Sequence, residues 1–342
     1  MSILYGKHKI NRMKQSYFIG VDVSKEKLDV CVITASNELV SEKIIRNDQA
    51  KIKSYLDKLI RKLKINAGEL LICCEHTGTY TRPLQLVCHE FEYPLWAENA
   101  YKIKKAASDI RGKSDRKDAV RIAEYALRYN DKAVLHVEGS DSQNQLKTLL
   151  GARETILEQI NTLKQQINET KDFDLCKHKL LKTCFSKSLK VLQKEMQVIE
   201  IRIDELVNSQ EDMLRNAELL RSIPGIGKQN ALNFIVCTSN FTTFRSAKHL
   251  ACYAGVVPFP NQSGTMFKRD RVSSFANKKL KRLLHLAAMA ATRSKGEMRQ
   301  YYIRKVKEGK NKMSVLNAVR NKLVQRMFAV IQRQSPYVIL QR

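Results

Sequence analysis

Long apolar runs are missing from this sequence of 342 residues. No segment approaches the roughly 20 apolar residues that a helix needs to cross a membrane, so we expect no membrane partner. Residues 1–16 form a basic tail that lacks the apolar core of a signal peptide. These absences favour a cytoplasmic protein.

The cysteines and glycines of this chain do not form the motifs that would indicate a metal site, a disulfide scaffold or a nucleotide site. The eight cysteines contain no C-x-x-C spacing, which argues against a zinc knuckle, and they are too irregular for a disulfide scaffold. We therefore expect reduced thiols. The 13 glycines form no glycine-rich adenosine site, and the chain has no Asp-x-Gly loop, which weighs against an ATPase.

Positive charge, by contrast, is abundant. Lys and Arg number 61 against 34 Asp and Glu, which gives a net charge of +27. Residues 261–342 alone hold 20 Lys and Arg against three acids. A concentrated positive surface is typical of a nucleic-acid binder, and a merely soluble basic protein is the weaker alternative.

Two apolar runs near the N-terminus each end in a carboxylate. Residues 18–21 precede Asp22, and residues 70–74 precede Glu75. Such runs, bounded by polar residues, predict buried strands. A charge at the end of a buried strand is costly unless a cation or donors meet it. Strand-borne acids are a rigid support for a divalent metal, although a solvated acid at a strand edge is the alternative.

The order of elements predicts a mixed sheet with helices on its faces. Residues 17–35 are predicted to form a β-hairpin, and a third strand follows at 39–45. Later strands at 70–74 and 93–97 alternate with helices at 48–63 and 80–91. We therefore predict an α/β domain at the N-terminus, followed by mostly α-helical parts.

A second pair of acids lies at the start of a helix predicted from about residue 115 to 129. Asp115 and Asp118 are three residues apart, so they share one helix face. They could simply cap the helix and complement its dipole. Together with Asp22 and Glu75, however, they make four carboxylates from three elements of a basic protein. Such a set is typical of a two-metal phosphodiester site.

Two later segments carry a heptad pattern. Residues 146–167 and 189–206 place apolar side chains at alternating spacings of three and four, and a polar interval at 171–188 separates them. This pattern predicts an antiparallel coiled-coil hairpin. Its purpose is either dimerisation or an intramolecular spacer, and no chemistry is expected there.

The C-terminal part contains a glycine turn and a serine loop. The sequence I-P-G-I-G-K at 223–228 predicts the turn of a helix-hairpin-helix that would contact a phosphate, or else a tight helix corner. Ser263 lies in a small-residue loop that precedes three cations. A hydroxyl backed by cations can attack a phosphodiester, although a loop serine is commonly a turn residue. The residues predicted to contact nucleic acid are Lys113, Arg116, Gly225, Gly227, Lys228, Lys268, Arg269, Arg271, Lys278, Lys279 and Arg282.

The motifs occur in an order that resembles a known family. They read F-I-G-V-D-V-S-K, C-E-H-T-G-T-Y, K-S-D-R-K-D-A, I-P-G-I-G and then A-G-V-V-P followed by Q-S-G. The chain in this respect resembles the DEDD transposases of insertion sequences, which are relatives of the pilin-gene invertase and include recombinases guided by a bridge RNA. The resemblance extends from about residue 18 to residue 337.

The resemblance implies a fold and a site. It implies a ribonuclease-H-like domain similar to the Holliday-junction resolvase RuvC, with Asp22, Glu75, Asp115 and Asp118 as its four acids, which bind Mg²⁺ or Mn²⁺. It also implies that Ser263 is the nucleophile that forms a covalent phosphoserine link to DNA. The family loop often reads Ser-Ser-Gly, whereas here only one serine precedes the glycine. Ser273 and Ser274 are the weaker candidates.

The resulting hypothesis is a magnesium-dependent DNA recombinase with four parts. They are a tail at 1–16, a RuvC-like DEDD domain at 17–140, a coiled-coil linker at 141–215 and a transposase domain at 216–342. Its expected partners are donor and target DNA, a bridge RNA and further copies of the chain in a dimer or tetramer. Because the acids and the serine are distant in sequence, we expect a composite site.

Two alternatives remain at this stage. An actin-like ATPase or sugar kinase is one, because residues 20–25 resemble the first phosphate loop of that superfamily, which shares the ribonuclease-H-like sheet. A nucleic-acid-binding protein without catalytic activity is the other. Metal-dependent DNA cleavage, as opposed to ATP hydrolysis or binding alone, distinguishes the three.

Overall fold

The computed structural model of the chain describes residues 15–76, 78–106, 115–172, 179–244, 246–263, 266–272 and 276–338. The chain divides into two compact units, one made of the described residues up to Glu138 and one that begins at Gly139. The predicted division into four parts stays a prediction. Within the described ranges, no helix is both long enough and apolar enough to cross a membrane.

The first unit is built on a mixed five-stranded sheet. Its strands are β1 (Tyr17–Val23), β2 (Lys27–Thr34), β3 (Leu39–Arg46), β4 (Leu70–Glu75) and β5 (Leu95–Glu98). They lie in the order β3-β2-β1-β4-β5. The first three strands pair antiparallel, whereas β4 is parallel to both β1 and β5. The predicted mixed sheet, with its N-terminal hairpin, is confirmed.

Helices cover both faces of this sheet. They are α1 (Gln49–Leu63), α2 (Arg82–Glu90), α3 (Ala100–Ala106) and α4 (Asp115–Arg128). Alternate residues of a strand point to opposite faces. Accordingly, Ile19 and Val21 pack with the side chains of α1 and α2, while Phe18 packs with those of α4 on the other face.

Local signals define the start and end of α1. Asp48 precedes the helix, and its side chain accepts the backbone N–H of Lys51 at 2.9 Å, as expected of an N-cap residue. Lys64 ends the helix in the left-handed region, with φ of 52°. The helix therefore begins one residue later than the sequence pattern predicts.

The second unit opens with two long helices, α5 (Asp141–Asp172) and α6 (Lys179–Asn208). Arg153 of α5 bonds to Glu200 of α6, with 2.7 Å between Nη2 and Oε1. Leu146 and Ile203 are fully buried. Helix α6 begins at Lys179, within the polar interval at 171–188 that separates the two apolar patterns. Its early residues are exposed, and therefore the apolar pattern does not reveal that they are helical.

The remainder of the second unit contains helices and one small sheet. The elements are α7 (Glu211–Arg221), α8 (Lys228–Cys237), α9 (Ala247–Tyr253), β6 (Pro258–Ser263), β7 (Met266–Val272), α10 (Lys278–Arg293), α11 (Glu297–Lys307) and α12 (Lys312–Arg333). A single apolar core joins residues of α7 to α12 with the facing residues of α5 and α6. The antiparallel pair β6–β7 is not evident from the sequence pattern.

Candidate functional site

The two strand-end acids lie on neighbouring parallel strands. The last paired residues of β1 and β4 are Val21 and Cys74, so Asp22 and Glu75 each lie one residue beyond that pair. Phe18 and Cys73 pack in the core beneath α4. Because side chains alternate along a strand, Asp22 and Glu75 are on that same face of the sheet.

Gly20 brings helix α4 against this face. A Cβ atom at Gly20 would lie 2.1 Å from the carbonyl oxygen of Ala119 and 2.3 Å from the backbone nitrogen of Ala123. Only glycine permits so close an approach of helix and strand. The contact lies two residues before Asp22 and one residue after Asp118, so the crossing carries Asp118 towards the strand ends.

Glu75 and Asp118 are close enough to influence each other. Burial raises the pKa of Glu75 above its ordinary value, and the negative charge of Asp118 raises this pKa further. The positive charges of Lys104 and Arg121 act in the opposite direction. Arg121 also pairs with Asp118, with 2.7 Å between Nη2 and Oδ1. Two partly buried carboxylates therefore share a small region with nearby cations.

The structure describes three of the four predicted acids in full. The backbone of Asp115 opens α4, but its side chain lies outside the described residues. Among the described residues, no three His, Cys, Asp or Glu side chains are grouped closely enough to hold a metal ion. Glu75 and Asp118 are brought together, and Asp22 is placed on the adjacent strand. Carboxylate oxygens are the ligands that Mg²⁺ prefers, so Glu75 and Asp118 offer two ligands of the right chemistry beside the strand that carries Asp22.

Two further acids extend this row, and neither was among the acids predicted from the sequence. Asp29 of β2 pairs in register with Asp22, and Glu98 of β5 pairs with Glu75. Both are buried. Glu98 ends a strand as Glu75 does, which is the signal that could have identified it. Asp29 lies inside a strand that is apolar on both sides, where only the register reveals its position.

Glu98 is tied to the helices that cover the site. Its carboxylate pairs with Lys102 Nζ at 3.1 Å and accepts a hydrogen bond from the Tyr125 hydroxyl at 3.4 Å. Burial and the charge of Glu98 raise the pKa of Tyr125 well above its usual range. Tyr125 therefore stays a hydrogen-bond donor and connects α4 to the end of β5.

The glycine turn at 223–228 lies between α7 and α8, but its two glycines differ. Gly225 has φ of +93°, and a Cβ there would lie 2.5 Å from the carbonyl oxygen of Ala287 in α10. Close packing therefore explains Gly225. Gly227 faces open space at the start of α8. Lys228 forms an ion pair with Asp204. The predicted phosphate contact thus depends on Gly227 and the N-terminus of α8.

The basic face of α10 is partly neutralised within its own unit. Lys279 Nζ lies 2.7 Å from Glu154 Oε2 of α5, and Arg282 pairs with the other oxygen of this carboxylate. The hydrogen bond from Lys279 lowers the pKa of Glu154 below its ordinary value, and the hydrogen bond from Arg282 lowers it by a smaller amount. Lys278 is exposed. Two of these three cations are thus held against α5.

Ser263 is the last residue of β6, and its backbone pairs with that of Met266. It therefore lies in a strand at the tip of a β-hairpin, not in the predicted loop. The side chain of Ser263 lies outside the described residues. The same holds for Lys113, Ser273 and Ser274, and for the side chains of Arg116, Lys268, Arg269 and Arg271.

The first unit has a mixed sheet with acids at its strand ends, and the second unit is basic and mostly helical, which suits an enzyme that acts on nucleic acid. The family models that the chain matches define its class. Residues 19–171 match the family model described as "Transposase" for the DEDD type of IS110. Residues 217–303 match the model described as "Transposase IS116/IS110/IS902 family". The chain belongs to this IS110 family of DEDD transposases and is a DNA transposase or recombinase enzyme.

Relatives match over nearly the whole chain. The pilin gene-inverting protein of Moraxella bovis is 27% identical over 94% of this chain and 97% of its own length. The corresponding protein of Moraxella lacunata shows the same values. The transposase of insertion sequence element IS1111A from Coxiella burnetii is 23% identical over 97% of this chain and 94% of its own length.

Proposed function

We propose that this transposase cuts and rejoins DNA at a divalent-metal site on the sheet of the first unit. The observation that carries the proposal is the proximity of Glu75 and Asp118 beside the end of β1, where Asp22 lies. The proposed ligands of Mg²⁺ or Mn²⁺ are Asp22, Glu75, Asp115 and Asp118. Carboxylates brought together against their mutual repulsion are stabilised when a cation is shared between them.

The proposed role of the acids is to bind and orient. When bound, the metal polarises the scissile phosphate and neutralises charge that develops on it. Asp22 and Glu75 contribute from rigid strands, which keeps their oxygens in place. Asp118 contributes from a helix whose position is fixed by the contact at Gly20. Arg121 holds the Asp118 carboxylate, and Lys104 adds positive charge beside Glu75.

Ser263 is the proposed nucleophile. Its hydroxyl oxygen loses its proton and attacks phosphorus, so that a serine–phosphate bond forms. The bond from phosphorus to the DNA 3′-oxygen breaks, and that oxygen takes up a proton, so the net proton transfer is from serine to the 3′-hydroxyl. Reversal of this step on a new strand rejoins the DNA without net loss of phosphodiester energy, because the serine–phosphate ester conserves it. The position of Ser263 at the tip of β6–β7, ahead of the cations of β7, supports the proposal.

A cleavage assay tests the acids. We expect Asp22→Asn and Asp118→Asn to abolish Mg²⁺-dependent strand cleavage while the thermal unfolding midpoint stays close to that of the wild type. Asp131→Asn is the matched control, because it makes the same change at an exposed position of the same unit. Undiminished cleavage by Asp118→Asn would refute the site. Loss of helix α4 in that variant would mean that Asp118 only caps the helix.

A covalent adduct tests the serine. Ser263→Ala should abolish the protein–DNA adduct and leave DNA binding intact, whereas Ser273→Ala and Ser274→Ala should retain the adduct. Mass spectrometry of the adduct then identifies the linked peptide. An adduct that survives in Ser263→Ala, or that maps to residue 273 or 274, would reject the assignment. Binding of DNA without cleavage under any metal would favour a non-catalytic binding protein.

We also propose that a structured bridge RNA guides the reaction. The family resemblance and the surplus of Lys and Arg in residues 261–342 support this proposal. The N-terminus of α8 with Gly227, the cations of β7 and Lys278 on α10 are the proposed nucleic-acid contacts. Lys113 and Arg116 are proposed contacts in the first unit.

The reduced thiols favour the cytoplasm as the place of this reaction.

The long helices α5 and α6 are proposed to form an antiparallel coiled coil and to join subunits. The ion pair of Arg153 with Glu200 and the buried side chains between the helices support the first part. In support of the second, α6 also exposes apolar side chains away from α5. Val191 is 60% exposed, Val198 54% and Ile201 59%. A dimer or tetramer in solution would cover this surface.

A further inference from the structure

The backbone that follows the two strand-end acids is held from a third place in the sheet. Ladder pairing between β1 and β4 stops at Val21 and Cys74, so this ladder does not hold the next residues of these strands to each other. After Asp22 the chain turns at Ser24 into β2. After Glu75 it reaches the short 3-10 turn Gly78–Thr81. Asp22 still pairs with Asp29 of β2, and Glu75 with Glu98 of β5, so a direct link between the two turns must lie outside the β1–β4 ladder.

Asn47 makes that connection. It directly follows β3, and its side-chain amide nitrogen donates to the carbonyl oxygen of Ser24 at 2.8 Å and to that of Tyr80 at 2.9 Å. Its backbone N–H donates to the carbonyl oxygen of Glu26 at 2.9 Å. One residue therefore holds the turn after β1 in two places and joins it to the turn after β4.

The orientation of the Asn47 amide follows from its partners. Both partners are carbonyl oxygens, which accept only, so the nitrogen and not the oxygen must face them. The remaining oxygen, Oδ1, is buried and has no hydrogen-bond partner in the described part of the chain. A buried acceptor without a partner costs free energy.

Both ends of the connection are rigid. Arg46, just before Asn47, pairs in register with Lys27 of β2, and the Asn47 backbone N–H bonds to the carbonyl oxygen of Glu26. The Ser24 turn is closed by its own bonds, since the Ser24 hydroxyl donates to the Lys27 carbonyl at 2.8 Å. Thr81, beside Tyr80, is fully buried. Asn47 therefore joins two segments that are each held by other contacts, the turn at Ser24 and the turn at Tyr80.

We propose that Asn47 is a positioning residue of the metal site, because it clamps the turns after β1 and β4 and so sets the separation of the Asp22 and Glu75 carboxylates. Asn47 does not itself touch metal or DNA. The inference rests on the proposed function, in which those carboxylates bind the metal. Residues that orient metal ligands typically change metal affinity by about 10- to 100-fold when they are removed.

The test compares Asn47→Ala with Asp48→Ala in the full-length chain. Each variant removes a short polar side chain at the same corner of the sheet, but only the first breaks the link between the two turns. The measurements are Mn²⁺ affinity by electron paramagnetic resonance, the Mg²⁺ concentration for half-maximal cleavage, and the thermal unfolding midpoint.

We expect Asn47→Ala to weaken Mn²⁺ binding about tenfold, and we expect added Mg²⁺ to restore its cleavage. Asp48→Ala should lower the unfolding midpoint through the lost cap and leave Mn²⁺ affinity as in the wild type. Asn47→Leu keeps the branching of the side chain without its donors. It should behave like Asn47→Ala, and it replaces that variant if Asn47→Ala does not fold.

The outcomes separate the inference from the function on which it rests. Wild-type Mn²⁺ affinity in both Asn47 variants would overturn the clamp alone. An equal loss of affinity in Asp48→Ala would also overturn it, because the effect would then follow stability and not the link. A wild-type chain that binds no Mn²⁺ saturably would overturn the proposed metal site, and the clamp with it.

Discussion

Gly20 is the residue whose size most directly controls the site. The sequence shows it only as one apolar position in a strand, because no pattern in a strand reveals how closely a helix will approach. In the structure its missing side chain gives room to the backbone of Ala119 and Ala123. Backbone atoms cannot rotate away from a new methyl group as a flexible side chain can.

The expected result for Gly20→Ala is therefore a displaced α4. The added Cβ would overlap backbone at 2.1 Å and 2.3 Å, and overpacking of this kind costs about 1–3 kcal/mol. Thermal unfolding should show that loss, and metal-dependent cleavage should fall because Asp118 moves with the helix.

Gly151→Ala is the control for this change. Gly151 lies within α5, and no atom comes within 4 Å of its added Cβ. Alanine favours a helix by up to about 1 kcal/mol over glycine, so this variant should be as stable as the wild type or more so. If Gly20→Ala behaved like Gly151→Ala, the close approach of α4 to β1 would be refuted.

At the scale of elements, the sequence predicted the sheet well and the second unit less completely. Strands β1 and β4 are apolar runs with clear ends, so their pattern is unambiguous. Strand β6 contains two prolines, an asparagine and a serine, which are residues typical of turns. Its strand character comes from pairing with β7, and single-segment patterns do not contain that information.

The four proposed metal ligands could be placed on their strands and helix from the sequence, but their mutual distances could not. Their positions at strand ends and at a helix start follow from the sequence, because each element could be located separately. Which of them meet depends on how α4 crosses the sheet. The link through Asn47 is set by tertiary contacts between residues far apart in the chain, and for that reason the sequence analysis did not include it.

The pairing of α5 with α10 gives a pH-dependent contribution to stability. Hydrogen bonds from Lys279 and Arg282 lower the folded-state pKa of Glu154. The contribution is therefore complete above the unfolded-state pKa of about 4.3, and it is lost as the pH falls through the lower folded-state pKa. Because the Glu154 side chain is 29% exposed, we expect only about 0.2–1 kcal/mol.

Glu154→Gln should show this loss in full at pH 7 and progressively less of it as the pH falls below about 4.3, when measured as the unfolding free energy. It should also tighten nucleic-acid binding at low salt, because it releases two cations from their carboxylate. The control is Glu158→Gln, one turn further along α5, whose exposed carboxylate forms no ion pair with a described residue. Equal effects of the two variants at pH 7 would contradict the assigned pairing.

At the scale of the whole molecule, the charge predicts how binding depends on salt. The net charge of +27 is concentrated in residues 261–342. If about ten phosphates are neutralised, the logarithm of the affinity for duplex DNA should fall with the logarithm of salt concentration at a slope near −9. Titrations between 50 and 200 mM salt, a range over which such affinities change by orders of magnitude, measure this slope. A slope near zero would contradict a phosphate-dominated interface.

The central claim is that the acids beside the ends of β1 and β4 bind the divalent metal with which this transposase acts on DNA. A Mn²⁺ titration of the full-length chain, followed by electron paramagnetic resonance, tests it most directly. The account predicts saturable binding in the wild type and in Asp131→Asn, and loss of that binding in Asp118→Asn. Binding in Asp118→Asn equal to that of the wild type would contradict the account.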